Sequence, residues 1–250
     1  MSGHSHWATI KRQKGTADAK RGQLFTKLGR EIEIAAREGG ADLTSNFRLR
    51  LCVDKARQAA MPKENIERAI LRGTGQLKGE SIEQVSYEGY GPQGTAVIVE
   101  VMTDNRNRAV SEVRRVFSRH GGNLGESGSV SWMFERKGYI SITPENGDSD
   151  ELALMAIDAG ADDVKTAEDL VEVYTKVEEL QQIKGALEAS NITFDSAELA
   201  WVPKTMLQLD NRATVQNLKL IDDLEELDDV QQVFTNLDIT DEALAAYENE

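Results

Sequence analysis

Residues 95–122 read TAVIVEVMTDNRNRAVSEVRRVFSRHGG, and two periodicities meet inside this stretch. In its first part Val97, Val99 and Val101 alternate with other residues, the period-two signature of a strand. From Asn105 the spacing widens: Ala109, Val113, Val116 and Phe117 line one side of a helix, which Gly121-Gly122 stops. A strand that hands over directly to a helix predicts a mixed domain, and the flanks extend it. Upstream, residues 85–90 form a second strand, joined through the turn Gly91-Pro92-Gln93-Gly94. Downstream, a glycine-rich run over 121–128 leads to a third strand at 129–134.

A second cycle follows. Strand 138–143, helix 150–159, short strands near Val164 and over 170–175, helix 178–190 and strand 192–202 give β-α-β-β-α-β, the ferredoxin-like order. After Pro203 comes one more helix (212–227) and one more strand (231–237). The first cycle lacks a second helix and a last strand, and these pieces would supply them. On the N-terminal side the pattern is helical. Leu24, Leu28, Ile32 and Ala35 share a face; a second helix from Thr44 or Ser45 turns Phe47, Leu51, Cys52, Ala56 and Ala59 inward; a third from Pro62 carries Ile66, Ala69 and Ile70. The predicted fold class is therefore α+β: an N-terminal three-helix bundle plus two ferredoxin-like α/β domains, the third inserted in the second. The expected segments are a flexible basic arm (1–21), the bundle (22–80), an α/β domain (81–134 with 204–240) and the inserted domain (135–203). Plain sequential packing of the two cycles remains the alternative.

Charge is divided along the 250 residues more sharply than the total of −14 suggests. Residues 1–80 hold 16 Lys and Arg against 9 Asp and Glu, whereas residues 81–250 hold 13 against 34. An acidic protein with a basic front end suits a polyanionic partner at that end and solubility elsewhere. In the first thirty residues Lys11, Arg12, Lys14, Lys20, Arg21, Lys27 and Arg30 face one acid, Asp18. Such clusters bind phosphate backbones by counterion release. His4, His6 and Trp7 add flat faces on which an unpaired base can stack. A solvated tail is the simpler account of the same residues. A second possible contact is the arginine set Arg106, Arg108, Arg115 and Arg119 at a strand-to-helix junction, where backbone N–H groups also favour anions; a solvated face with ion pairs is again the simpler account.

Several function classes lose support. Cys52 is the only cysteine, so no internal disulfide and no multi-cysteine zinc site is available. Ser2-Gly3-His4 could hold Cu(II) or Ni(II) if Met1 were removed, but this tripeptide is common, and no metal or other cofactor is expected. The run 121–128 follows a helix and lacks Gly-Lys-Ser/Thr, so it is no P-loop; it reads as a helix stop and turn, or a mobile loop. No catalytic constellation emerges, no small-molecule substrate is implied, and no apolar run is long enough to span a bilayer. A cytoplasmic location is expected.

Three segments carry a resemblance: Met1-Ser2-Gly3-His4-Ser5-His6-Trp7-Ala8-Thr9-Ile10-Lys11; Tyr87-Glu88-Gly89-Tyr90-Gly91-Pro92 with Thr103-Asp104-Asn105-Arg106-Asn107-Arg108; and Ser129-Val130-Ser131-Trp132-Met133-Phe134. The chain resembles the YebC/PmpR family, whose mitochondrial members are translational activators of a cytochrome oxidase subunit. His6 stands where the family usually has lysine. The resemblance implies three domains and no enzymatic activity. It also implies a nucleic-acid-binding regulator of gene expression, labelled in the family as a DNA-binding transcriptional regulatory protein. The alternative it carries is a ribosome-associated translation factor that binds rRNA or tRNA and relieves stalling at proline-rich stretches. No distinct helix-turn-helix signature is present, so the residues lean toward RNA.

Overall fold

The computed structural model describes residues 18–79, 81–144, 148–167 and 170–248. Three helices come first: α1 (Asp18–Gly39), α2 (Phe47–Gln58) and α3 (Lys63–Gly73). Helix α1 starts inside the stretch expected to be a flexible arm; the rest of that stretch, 1–17, lies outside the described residues. The bundle core joins Leu28, Ile32 and Ala35 to Leu49, Val53 and Ala56 and to Ile66 and Ala69. Gly73 is required where α3 meets α1, because a Cβ there would come within 2.3 Å of the Glu33 carbonyl oxygen.

Two details depart from the pattern reading. Leu24 is exposed rather than inward. The N-cap of α2 is Asn46, not Thr44 or Ser45: its side chain accepts from Leu49 N at 3.0 Å and donates to Ala35 O and Gly40 O, tying the end of α1 to the start of α2. Thr44 and Ser45 are instead occupied with the Asp42 carboxylate.

Two four-stranded antiparallel sheets follow. The first contains β1 (Glu83–Tyr90), β2 (Ala96–Thr103), β3 (Asn123–Leu124) and β8 (Val230–Thr235) in the order β3-β1-β2-β8. The second contains β4 (Phe134–Ile142), β5 (Asp163–Thr166), β6 (Val171–Thr175) and β7 (Ser196–Pro203) in the order β5-β6-β4-β7. Helices α4 (Arg106–Arg119) and α7 (Asn211–Glu225) cover one face of the first sheet; α5 (Ser149–Asp158) and α6 (Leu180–Ala189) cover one face of the second. A last helix, α8 (Asp241–Glu248), which the periodicity did not suggest, lies against α7.

The second sheet is inserted in the chain of the first. Its entry and exit are neighbours: Phe134 pairs with Pro203, and Lys204 N donates to Met133 O at 2.9 Å. Excursion and return therefore cost the host sheet little geometry. The predicted strand over 129–134 is not a strand of the host sheet. Residues Ser131–Met133 form a 3-10 turn, and the short β3 takes the edge position. The reason is local: the N–H groups of Val130 and Ser131 are bound to the Glu88 carboxylate and are withdrawn from any ladder.

All of β2 is buried. Val97, Val99 and Val101 face α4 and α7, as the alternation implies. Ala96 and Ile98 on the other face pack with Phe134, Tyr139, Tyr174, Ala200 and Phe234, so the two sheets share an apolar seam. Helix α2 closes the remaining side. Beyond its bundle face, its Phe47 and Leu51 pack against the core of the inserted domain, and Lys184 of α6 reaches Asp54 at 2.8 Å.

Candidate nucleic-acid interface

Of the predicted contacts, His4, His6, Trp7, Lys11, Arg12 and Lys14 lie outside the described residues. Lys20 falls in the first turn of α1, Arg21 is exposed on α1, and Lys27 is turned inward. Its Nζ donates to Glu225 O at 2.6 Å. Gln23 Nε2 donates to Glu226 O and to Asp228 Oδ1, both at 2.8 Å, and Arg30 Nη1 donates to Asp228 O at 2.7 Å. These groups sit at the C-terminal end of α7, where carbonyls without helical partners and the helix dipole favour cations. Lys27 is thus a docking residue between bundle and host domain.

The run Thr103–Arg108 shows a similar division. Thr103 Oγ1 donates to Asp229 Oδ2 at 2.8 Å and accepts from Asn105 N at 3.0 Å. Asn105 caps α4 by accepting from Arg108 N. Arg108 Nη2 reaches Asp104 at 2.6 Å and Asp229 at 2.7 Å, and Arg30 adds a second cationic contact to Asp229 at 2.9 Å. Asp229 is 3% exposed, a buried carboxylate at the meeting of β2, α4, β8 and α1. Its hydrogen bonds hold the Arg108 guanidinium protonated far above its ordinary range.

Arg119 pairs with Asp223, and His120 Nε2 lies 2.6 Å from the same carboxylate. Burial pushes Asp223 up, but these two partners outweigh it and hold the carboxyl below its usual range. Arg106 stays largely exposed, 3.8 Å from Glu83. The four arginines proposed as one anion contact are therefore not equivalent: Arg108 and Arg119 are committed to carboxylates. On the outer side of α4, Arg114 and Arg115 are exposed with no carboxylate within ion-pair distance among the described residues. Arg114 is not one of the arginines expected from the sequence, where nothing distinguishes an exposed, unpaired arginine on this helix from a paired one such as Arg119.

The glycine-rich run is pinned rather than mobile. Glu88 accepts from Gly128 N, Val130 N and Ser131 N, each at 2.8 Å, and Gly128 takes φ +87, which favours glycine. Burial raises the Glu88 pKa, but the three N–H donors prevail and lower it. Tyr90 OH donates to Ser129 O at 2.8 Å. This anchoring presents Trp132, 67% exposed, with its Nε1 tied to Ser129 O and Lys204 Nζ on its own carbonyl. A rigid exposed indole beside a lysine suits stacking on an unpaired base. Periodicity had assigned Trp132 to a strand, so its exposure was not legible.

A family model described as the TACO1/YebC protein N-terminal domain matches residues 5–76, and one described as the TACO1/YebC second and third domain matches 82–237. The chain belongs to the TACO1/YebC family. A relative from Dehalococcoides mccartyi, named a probable transcriptional regulatory protein, is 53% identical over 250 residues, covering 100% of both chains. One of the same description from Syntrophobacter fumaroxidans is 52% identical, covering 98% of each. The crystal structure of a conserved hypothetical protein from Aquifex aeolicus superposes with a TM-score of 0.88 at 49% identity, covering 94% of this chain and 98% of that one. Among the described residues, no helix of this family member is long and apolar enough to cross a membrane, and no group of three or more metal-ligating side chains occurs.

Proposed function

We propose that the protein is a non-enzymatic regulator of gene expression that engages nucleic acid through its basic N-terminal segment, with Arg114, Arg115 and Trp132 as secondary contacts. One observation carries the reading: the excess of positive charge lies in the first 80 residues, while Lys27 and Arg30, together with Arg108 and Arg119 of the acidic half itself, are bound to carbonyls and carboxylates of that half. The names of the relatives point to transcription and hence to DNA. A feature of the bundle favours RNA and translation instead. A DNA-reading helix needs an exposed Arg, Asn or Gln set for base edges. Helix α2 has its apolar residues divided between two domains, and the outer face of α3 mixes Lys63 and Arg68 with Glu64 and Glu67.

The test is fluorescence anisotropy of the full chain with a double-stranded DNA and an unstructured single-stranded RNA across a salt series. Binding is expected to weaken linearly on a log–log plot, each phosphate contact on a single strand adding about 0.7 to the slope. Deletion of residues 1–17, which leaves α1 whole, is expected to remove most of it. Full binding by the truncated protein would end the proposal, and tighter binding to the duplex would end the RNA preference.

A further inference from the structure

Helix α5 of the inserted domain is apolar around its whole circumference. Residues 152–157 read LALMAI, a run longer than the roughly 3.6 residues of one turn, so apolar side chains point outward as well as inward. The inner side is accounted for: Ala156 is buried, and Leu152 packs with it on the core of the inserted domain. The outer side is not. Leu154 is 63% exposed and Ile157 54%, and their i, i+3 spacing puts them on one face. Outside the bundle, the other large apolar side chain left exposed among the described residues is Trp132. Helix α4 shows the ordinary arrangement, with Val113, Val116 and Phe117 inward and Ser111, Arg114 and Ser118 outward. A helix that is apolar all round belongs under cover on every side.

The surroundings of this face are acidic. Residues 135–203 hold 16 Asp and Glu against 5 Lys and Arg, and each of the five cations is engaged within the protein. Arg136 pairs with Glu100, Lys137 with Glu135 at 3.7 Å, Lys176 with Glu179 at 2.9 Å and Lys184 with Asp54, while Lys165 lies over the Tyr174 ring. The carboxylates beside the apolar pair are not engaged in this way. Asp150, Glu151 and Asp158 are exposed and have no ion-pair partner among the described residues. Asp150 stands one turn before Leu154 and Asp158 one turn after it, with Glu151 three residues before, so the outward apolar pair carries an anionic rim.

We propose that the outer face of α5 docks a basic protein partner, with Leu154 and Ile157 seated in an apolar recess of that partner and Asp150, Glu151 and Asp158 facing its lysines and arginines. Charge selects this occupant. A phosphate backbone would meet uncompensated carboxylates and find no cation to replace its counterions. A second copy of this chain, packed about a two-fold axis, would set the same carboxylates against themselves, and like charges brought together cost affinity. A basic surface gains twice: covering the two side chains removes apolar area from water, and the rim steers the approach. On this assignment the inserted domain takes a protein and the N-terminal segment a nucleic acid. Neither contact uses the residues of the other, so the two readings fail independently.

The probe is a synthetic amphipathic helical peptide, leucine on one face and lysine on the other, titrated into the full chain and followed by fluorescence anisotropy and methyl NMR. Saturable binding that weakens as salt rises is expected, with the Leu154 and Ile157 methyl signals shifted most. Leu154→Gln with Ile157→Gln keeps good helix formers at two largely exposed positions, and is expected to weaken binding about tenfold or more with little change in the unfolding midpoint. Asp158→Lys, at the C-terminal end of α5 where a cation suits the helix dipole, is expected to weaken binding and flatten its salt dependence without loss of stability. Deletion of residues 1–17 should leave peptide binding intact. The proposal is overturned if the peptide does not bind, if it binds the double Gln variant as well as the parent, or if a leucine and glutamate counterpart binds equally. It is overturned too if the Leu154 and Ile157 signals of the free protein move on dilution, which assigns the face to a second copy. Movement on deletion of residues 1–17 overturns it in favour of the chain's own segment, and movement on adding an unstructured RNA in favour of nucleic acid.

Discussion

The two sheets have one spatial plan and two different chain paths. In each, two helices cover one face and four antiparallel strands lie in corresponding positions, β3-β1-β2-β8 beside β5-β6-β4-β7. The inserted sheet completes itself in one continuous pass. The host sheet recovers β8 only after the whole insertion, and it takes its second strand position from β1, ahead of β2 rather than after it. The late strand is fastened by polar side chains at both ends. Asp229, before β8, accepts from Thr103 and Arg108 while its carbonyl takes Met102 N at 2.8 Å. Asn236, after β8, accepts from Ala96 N at 2.9 Å through its side chain, and its own N–H donates to Ala96 O. The inserted sheet has a milder polar contact on its long pair of strands, Ser141 against Ser196 at 2.6 Å. The contrast teaches that a strand returning from far along the chain is registered by buried side chains, whereas a local one is registered by its connections.

Breaking the fastenings of β8 should therefore cost most. Asp229→Ala strands Arg30, Arg108 and Thr103 at once, and a loss of about 3–5 kcal/mol is expected by urea denaturation, the range for removing one partner of a buried ion pair. Asn236→Ala orphans the Ala96 N–H and should cost about 1–3 kcal/mol. Glu88→Gln, on β1 and across β2 from β8, turns one acceptor into a donor facing backbone N–H groups, and about 2 kcal/mol is expected. The pH profile sharpens this last case. The folded Glu88 pKa is lowered, so its stabilisation is complete above the unfolded value and is lost as pH falls through the folded one. Glu88→Gln should flatten that part of the acid limb.

In the inserted sheet, replacing both serines, Ser141→Ala with Ser196→Ala, should stay within about 1 kcal/mol, because removing both partners leaves nothing unpaired. A cost as large as that of Asp229→Ala would dissolve the distinction between the sheets. Smallest of all, Arg114→Glu with Arg115→Glu should leave stability within about 0.5 kcal/mol, while anisotropy shows weaker binding to nucleic acid and a shallower salt slope.

The residues made much of the architecture legible. Alternation at Val97, Val99 and Val101, the helical spacing from Ala109 to Phe117 and the second strand-helix cycle were enough to give α+β with an insertion, because burial on one face repeats with the period of the backbone. The candidate site was only half legible. Charge counting singles out the basic front end, but it treats every arginine alike, and Arg108, Arg119 and Lys27 proved to be bound within the protein.

What the sequence alone determined is the local order: which segments are helix or strand, where glycines stop them, and how unevenly charge is spread. The tertiary structure decided which of those charges are left for a partner. It turned Phe47 and Leu51 of α2 toward a different domain from Leu49 and Val53, gave β3 the edge that 129–134 was expected to fill, and put a bulge at Gln231 in the β2–β8 ladder. These outcomes depend on groups distant along the chain, such as Glu88 with Ser131 and Arg30 with Asp229, whose pairing leaves no period in the sequence because it exists only once the chain has closed.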